Sequence, residues 1–298
     1  MAELDLERVG EIRARSPQAI LDAASRRRRR PLLDESGRLM LIAADHPGRG
    51  ALGAGRRELA MADRRDLLRR LVTALGRPGV DGLLATADVA EDLLLLGALE
   101  GKVVVGSMNR GGLKGASFEL DDRFTGFDVP TIDKMGFEGG KMLCRIDLAD
   151  AGSAATLEAC GRAVGALAER RLMAIIEPFL ARRVDGRVAN DLSPDAVVTS
   201  VAISSALGPT SAYTWLKLPV VADMERVMAT TTLPVLLLGG DPVEAPEETY
   251  GQWERALALP GVRGLVVGRS LLYPPGDDVE AAVDAAARLV RPGATAWA

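Results

Sequence analysis

Eight short aliphatic runs, separated for the most part by stretches of helix length, constrain this chain more than any other feature. They fall at 39–45 (LMLIAAD), 82–87 (GLLATA), 102–108 (KVVVGSM), 141–147 (KMLCRID), 172–178 (LMAIIEP), 213–219 (YTWLKLP), 234–239 (PVLLLG) and 263–269 (RGLVVGR). Runs that are apolar almost throughout suit parallel strands buried on both faces, and helical spacing fills 57–76, 88–99, 153–170, 193–207, 222–230 and 246–258. Eight β/α units in about 250 residues predict an α/β fold, a (β/α)8 TIM barrel, with a doubly wound open sheet as the weaker alternative. No low-complexity linker splits the chain, so residues 1–298 read as a single barrel domain.

Residues 1–30 read as an N-terminal helical extension, an extra helix from Leu4 to Arg30 outside the barrel, with the barrel's bottom as one place to sit. The run Arg26 to Arg30 is most simply a solvated helix end, favourable near the negative pole of the dipole; binding to nucleic acid or anionic lipid is the lesser reading. Two connections after strands are long, 109–135 and 180–192, where barrel enzymes place substrate loops. Asp185-Gly186 suggests a small hairpin in the second.

Composition removes several classes of function. Lys+Arg 37 against Asp+Glu 41 gives a net charge of −4, with no broad drive toward nucleic acid. No apolar run is long enough to span a bilayer and the N-terminus has no signal-type core, so a cytoplasmic protein is expected. Cys144 and Cys160 are too few for a disulfide framework and, with His46 as the one imidazole, cannot build a common zinc site. Catalysis must then lean on Lys, Arg and carboxylates, and amine-based chemistry on such residues needs no metal or other cofactor.

Side chains alternate along a strand, which places Tyr213, Trp215 and Lys217 on one face and Thr214, Leu216 and Leu218 on the other. The Leu pair suits the helix layer, leaving Lys217 inward near the strand's C-terminal end. Desolvation there should lower its pKa and favour the neutral amine, as in Schiff-base lysines. A structural Lys held by a carboxylate is the rival reading for Lys217 alone. The same alternation turns Glu177, Asp45 and Lys141 inward, so four strands offer amines and carboxylates to one interior. Such a cluster is costly unless paired or used, and it contains what amine-based aldol chemistry needs.

The last two barrel strands end in Leu238-Gly239-Gly240 and Val267-Gly268-Arg269-Ser270. Glycine lets backbone N–H groups approach an oxyanion and Arg269 adds a charge, so a phosphorylated substrate is expected. His46, in a turn after the first strand, reads as a substrate contact or proton-transfer aid, or as a polar turn residue satisfied by backbone. Asn109, Arg110 and Lys114 are candidates for a second anionic group, against the plain alternative of a solvated loop. Cys144 faces outward by parity.

The string Ile42-Ala43-Ala44-Asp45-His46-Pro47-Gly48-Arg49-Gly50-Ala51-Leu52 resembles the first-strand motif of the class I aldolase superfamily, which includes tagatose-1,6-bisphosphate aldolase, archaeal-type fructose-bisphosphate aldolases and deoxyribose-phosphate aldolase-like barrels. Lys141-Met142-Leu143, Glu177-Pro178, Leu216-Lys217-Leu218-Pro219, Leu238-Gly239-Gly240 and Gly268-Arg269 recur in the same order at the same strand ends, so the resemblance spans about 39–272. It implies that Lys217 forms the Schiff base, that Asp45, Lys141 and Glu177 are its proton-transfer and charge partners, and that Gly239, Gly240, Gly268 and Arg269 hold phosphate. The fourth strand departs, carrying Cys144-Arg145-Ile146-Asp147 where relatives often carry tyrosines. The chain looks most similar to an actinobacterial family found in inositol-degradation contexts, which suggests cleavage of 2-deoxy-5-keto-gluconate 6-phosphate to dihydroxyacetone phosphate and malonate semialdehyde. Other readings are a deoxyribose-phosphate aldolase, a sulfosugar-phosphate aldolase with Arg110 or Arg145 on the sulfonate, and a non-catalytic sugar-phosphate-binding barrel. Barrels of this type commonly associate, so a homo-oligomer is expected.

Overall fold

In the computed structural model, which describes residues 5–292, nine strands form one sheet. They are β1 (Leu39–Ala44), β2 (Gly82–Ala85), β3 (Val103–Ser107), β4 (Gly139–Ile146), β5 (Met173–Val184), β6 (Arg187–Asn190), β7 (Thr214–Leu218), β8 (Val235–Leu238) and β9 (Val262–Val267). Their order is β4-β3-β2-β1-β9-β8-β7-β5-β6, and a further β4–β5 pairing closes the first eight into a ring of parallel neighbours. This is the expected (β/α)8 barrel. β6 lies outside the ring, antiparallel to the overhanging end of β5. Its turn is Asp185-Gly186, both with positive φ, as the two-residue hairpin turn requires.

Strand alternation builds two cores. Leu39, Leu41, Ala43, Leu84, Val103, Val105, Met173, Ile175, Trp215, Leu236 and Val266 pack together inside the ring. The opposite parity, such as Met40, Ile42, Leu83, Val104, Met142, Leu216 and Leu218, packs against the helices. Each fully buried aliphatic side chain stabilises by roughly 1.5–3 kcal/mol. The polar residues that interrupt this pattern on the inner face therefore stand out near the C-terminal ends.

Six helices fall on the expected segments: Arg64–Gly76, Ala87–Leu95, Gly152–Glu169, Pro194–Ser205, Met224–Met228 and Pro246–Leu257. The first starts seven residues later than expected, where the Asp63 carboxylate accepts from Asp66 N and caps it. Sequence reading omitted Val279–Val290, although Asp278 caps it and apolar residues recur at 279, 282, 283, 286, 287 and 290. It also omitted Val129–Lys134 inside the long 109–135 connection.

The N-terminal extension departs from expectation. Instead of one helix there are two, Leu6–Arg15 and Ala19–Arg26, because Pro17 disfavours helical geometry at Ser16 (φ −144°); Leu4 lies outside the described residues. The arginine run is a solvated helix end only at Arg26, which is exposed in the last turn of the second helix. Beyond Arg26 the chain passes beneath the barrel, where Arg27 is buried, donates to Lys102 O at 2.5 Å and Gly136 O at 2.7 Å, and pairs with Glu138 at 3.2 Å. Arg29 joins Glu138 at 3.0 Å and Arg30 reaches Asp81 at 2.5 Å. Glu138 and Asp81 in turn accept from Val104 N and Met40 N, so these arginines tie the extension to the starts of the strands. Leu32 and Leu33 then pack against the inner core from below.

Candidate active site

Four strands deliver the charged residues that parity turned inward. Asp45 follows β1, Lys141 lies in β4, Glu177 in β5 and Lys217 in β7, each buried and no more than 8% exposed. The Lys141 ammonium sits 2.8 Å from Asp45 Oδ2 and 2.6 Å from Glu177 Oε2. Lys217 Nζ lies 3.0 Å from Glu177 Oε1. Ser107 Oγ completes the set by donating to Asp45 Oδ2 at 3.3 Å. Two lysines face two carboxylates, and this pairing offsets the cost of burying ionic groups.

Each shift follows from a contest between burial and neighbours. Burial pushes Asp45 up, but Lys141, His46 and Lys217 outweigh it and hold the carboxyl well below the usual range. Burial likewise opposes ionisation of Glu177, yet Lys141 and Lys217 bring it down to about 2. For Lys141 burial pulls downward, and Asp45 and Glu177 reverse this, so its pKa is raised. His46 goes the other way: burial, reinforced by Arg269 and Lys217 against the pull of Asp45, lowers it to about 4.

The cluster forms the floor of a cleft of about 1130 Å³ at the C-terminal end of the barrel. Along one side run Leu238-Gly239-Gly240 and Gly268-Arg269, which come together because β8 and β9 are neighbours. Side chains are excluded there: a Cβ on Gly268 would stand 2.4 Å from Ala43 O, and one on Gly239 would stand 2.4 Å from Val267 Cγ1. Arg269 pairs with Asp241 at the rim, while its Nε and the nearby Ser270 Oγ are buried without hydrogen-bond partners.

Of the expected contacts, His46 lines the cleft and Asn109 does not. Asn109 is 1% exposed; its Nδ2 donates to Leu143 O at 2.6 Å and its Oδ1 accepts from Leu143 N at 2.8 Å. Its amide is used up in holding the start of the third-strand loop to β4, which corrects its reading as a substrate contact. Arg145 points inward but is engaged by the Glu119 side chain and backbone of the same loop. Arg49 pairs with Asp122 at 2.6 Å, so two buried ion pairs pin this loop over the barrel. Arg49, Glu119 and Asp122 were not picked out from the sequence; their partners are distant along the chain and no local pattern marks them. Arg110 donates to Gly48 O and Thr125 O, away from the cleft, whereas Lys114 lines it with Arg187 and Asn190 of β6. Among the described residues no group of three His, Cys, Asp or Glu is placed to hold a metal, and no helix is long and apolar enough to cross a membrane.

The sequence profile of the Cgl0159-like family matches residues 37–287, and the chain belongs to that family. It is similar to a crystal structure of Cgl0159 from Corynebacterium glutamicum, with 55% identity over 96% of each chain and a TM-score of 0.94. At 17% identity it shares its fold with an archaeal fructose-1,6-bisphosphate aldolase whose catalytic Lys is bound to the carbinolamine intermediate of its substrate (91% of this chain, 99% of that one, TM-score 0.65). A fructose-bisphosphate aldolase from Slackia heliotrinireducens is similar at 13% identity, covering 93% and 87%, with a TM-score of 0.60. No curated protein matches the chain.

Proposed function

We propose that this Cgl0159-like protein is a class I aldolase that cleaves a phosphorylated keto sugar or keto sugar acid through a Schiff base on Lys217. The observation that carries the reading is the place of the Lys217 amine: 3% exposed, inside the mouth of the barrel, and 3.0 Å from an ionised carboxylate. As a neutral amine it attacks a carbonyl, water leaves, and the resulting iminium takes up the electron pair of the adjacent C–C bond as an enamine forms. Glu177 stays ionised beside that nitrogen and stabilises the iminium charge, while Lys141 and Asp45 hold Glu177 in position. The archaeal aldolase caught as a carbinolamine on its Lys supports this chemistry for the shared fold.

The glycine loops and Arg269 suit a phosphate, which would displace exposed Asp241 from the guanidinium. On the opposite wall Lys114 and Arg187 have no carboxylate partner among the described residues, unlike Arg49, Arg145 and Arg269. That asymmetry favours a second acidic group and hence a sugar acid phosphate, of which 2-deoxy-5-keto-gluconate 6-phosphate is one candidate. An assay of that compound for release of dihydroxyacetone phosphate tests the substrate. Release of glyceraldehyde 3-phosphate from deoxyribose 5-phosphate would instead mark an aldose-cleaving enzyme, and thermal stabilisation by sugar phosphates with no imine formed would mark a non-catalytic binder.

A further inference from the structure

Cleavage of a C–C bond beside an iminium needs a group that removes a proton from the neighbouring hydroxyl and later returns one to the enamine carbon. The four-residue cluster is poorly supplied for this task. Asp45 Oδ2 and Glu177 Oε2 already face the Lys141 ammonium at 2.8 and 2.6 Å, and Glu177 Oε1 faces the Lys217 nitrogen at 3.0 Å, where it balances the iminium charge. Lys141 is committed as their cation. The residues that line the cleft include no Ser, Thr, Tyr or Cys, and Tyr213, Tyr250 and Tyr273 all lie elsewhere.

Of the other carboxylates that line the cleft, Glu119 is held by Arg145, Asp241 by Arg269, and Glu58 is exposed, which leaves one uncharged proton carrier beside the cluster. His46 Nδ1 is buried without a hydrogen-bond partner and lies 3.8 Å from Asp45 Oδ1, the one oxygen of the two carboxylates that no ammonium contacts. The ring also approaches Gly268 closely, where a Cβ would come within 3.1 Å of His46 Cε1. It therefore stands between the amine cluster and the phosphate loops, and Nε2 is the nitrogen left to meet a substrate. The charged groups that face it are Asp45, Glu177, Lys217 and Arg269.

We infer that His46 is the acid–base catalyst of the carbon–carbon step, with the Asp45 carboxylate beside it to balance the imidazolium charge. This rests on the Schiff-base reading of Lys217. With the substrate held as a protonated imine, His46 Nε2 takes the proton of the hydroxyl on the carbon beyond the scissile bond. The C–C electron pair moves into the iminium, leaving an aldehyde and a neutral enamine. The imidazolium, with its Nδ1–H toward Asp45 Oδ1, then returns the same proton to the enamine carbon. Water hydrolyses the regenerated iminium to release the ketone. The neutral ring set by burial at pH 7 is the form this sequence begins with.

Dihydroxyacetone phosphate in deuterated buffer tests the inference, because its imine reaches the enamine only by loss of a carbon-bound proton to the same base. Deuterium entry at the hydroxymethyl carbon is followed by NMR, and the imine is trapped in parallel with borohydride. His46→Gln should keep the trapped adduct on Lys217 while exchange falls about 100-fold, and added imidazole should restore part of the exchange in His46→Ala. Exchange reduced less than tenfold in His46→Gln overturns the inference, as does a parallel loss of adduct, which would make His46 a binding residue. Absence of an adduct in the wild-type protein would overturn the Schiff-base reading itself and this one with it.

Discussion

The ammonium of Lys141 lies 2.8 Å from the carboxylate of Asp45, although their strands, β4 and β1, are separated in the ring by β2 and β3. The ion pair crosses the barrel mouth, and with the 2.6 Å contact to Glu177 it makes Lys141 the cation between two buried acids. Lys141→Met strips Asp45 of the one lysine in contact with it and leaves Glu177 with Lys217 alone, and should destabilise the fold by about 3–5 kcal/mol. Denaturant unfolding at pH 7 measures this, and a loss below 1 kcal/mol would mean that the pair contributes little.

Arg269 reaches the cleft directly after Gly268, which admits no side chain, and its partner there is exposed Asp241. Arg269→Ala should raise KM for a phosphorylated substrate at least tenfold with a smaller change in kcat, while Asp241→Asn, by removing the competitor, should lower KM. Steady-state kinetics of the two variants against the parent shows whether this wall binds phosphate.

The unpaired cations of the opposite wall make a separate expectation. Replacing Lys114 and Arg187 together by Ala should raise KM for a substrate with a second acidic group and leave that for its neutral analogue unchanged. Equal effects on both compounds would place these residues outside recognition.

His46 titrates at about 4 in the folded chain against 6.5 unfolded. A lowered pKa means that the folded state favours the deprotonated ring, so this contribution is full above about pH 6.5 and is lost as pH falls toward 4. By pH 5 about 2 kcal/mol of it is lost. Glu177, lowered to about 2, loses its share only further into acid, below about pH 4.5. Between pH 7 and 5 the wild-type protein should therefore lose about 2 kcal/mol more stability than His46→Gln, as measured by urea unfolding at the two pH values.

The barrel was legible because strands buried on both faces must be aliphatic nearly throughout, and the inward parity of Asp45, Lys141, Glu177 and Lys217 could be read from alternation against their apolar neighbours. Parity says which way a side chain points but not what meets it. Asn109 shows the gap: a polar residue just past a strand end reads as a substrate contact, yet its amide is closed on the backbone of Leu143. The arginine run shows it again, since Glu138 and Asp81 lie far along the sequence from Arg27 and Arg30 and nothing local announces the pairing. The helix Val279–Val290 was the opposite case, its cap and spacing present in the sequence and passed over.

The central claim concerns one nitrogen. Borohydride reduction in the presence of dihydroxyacetone phosphate, followed by intact-mass and peptide analysis of the wild-type protein and of Lys217→Ala, addresses it most directly. A single reduced adduct on Lys217, absent from Lys217→Ala, is the predicted result; an adduct on Lys141, or none on the wild-type chain, would contradict the account.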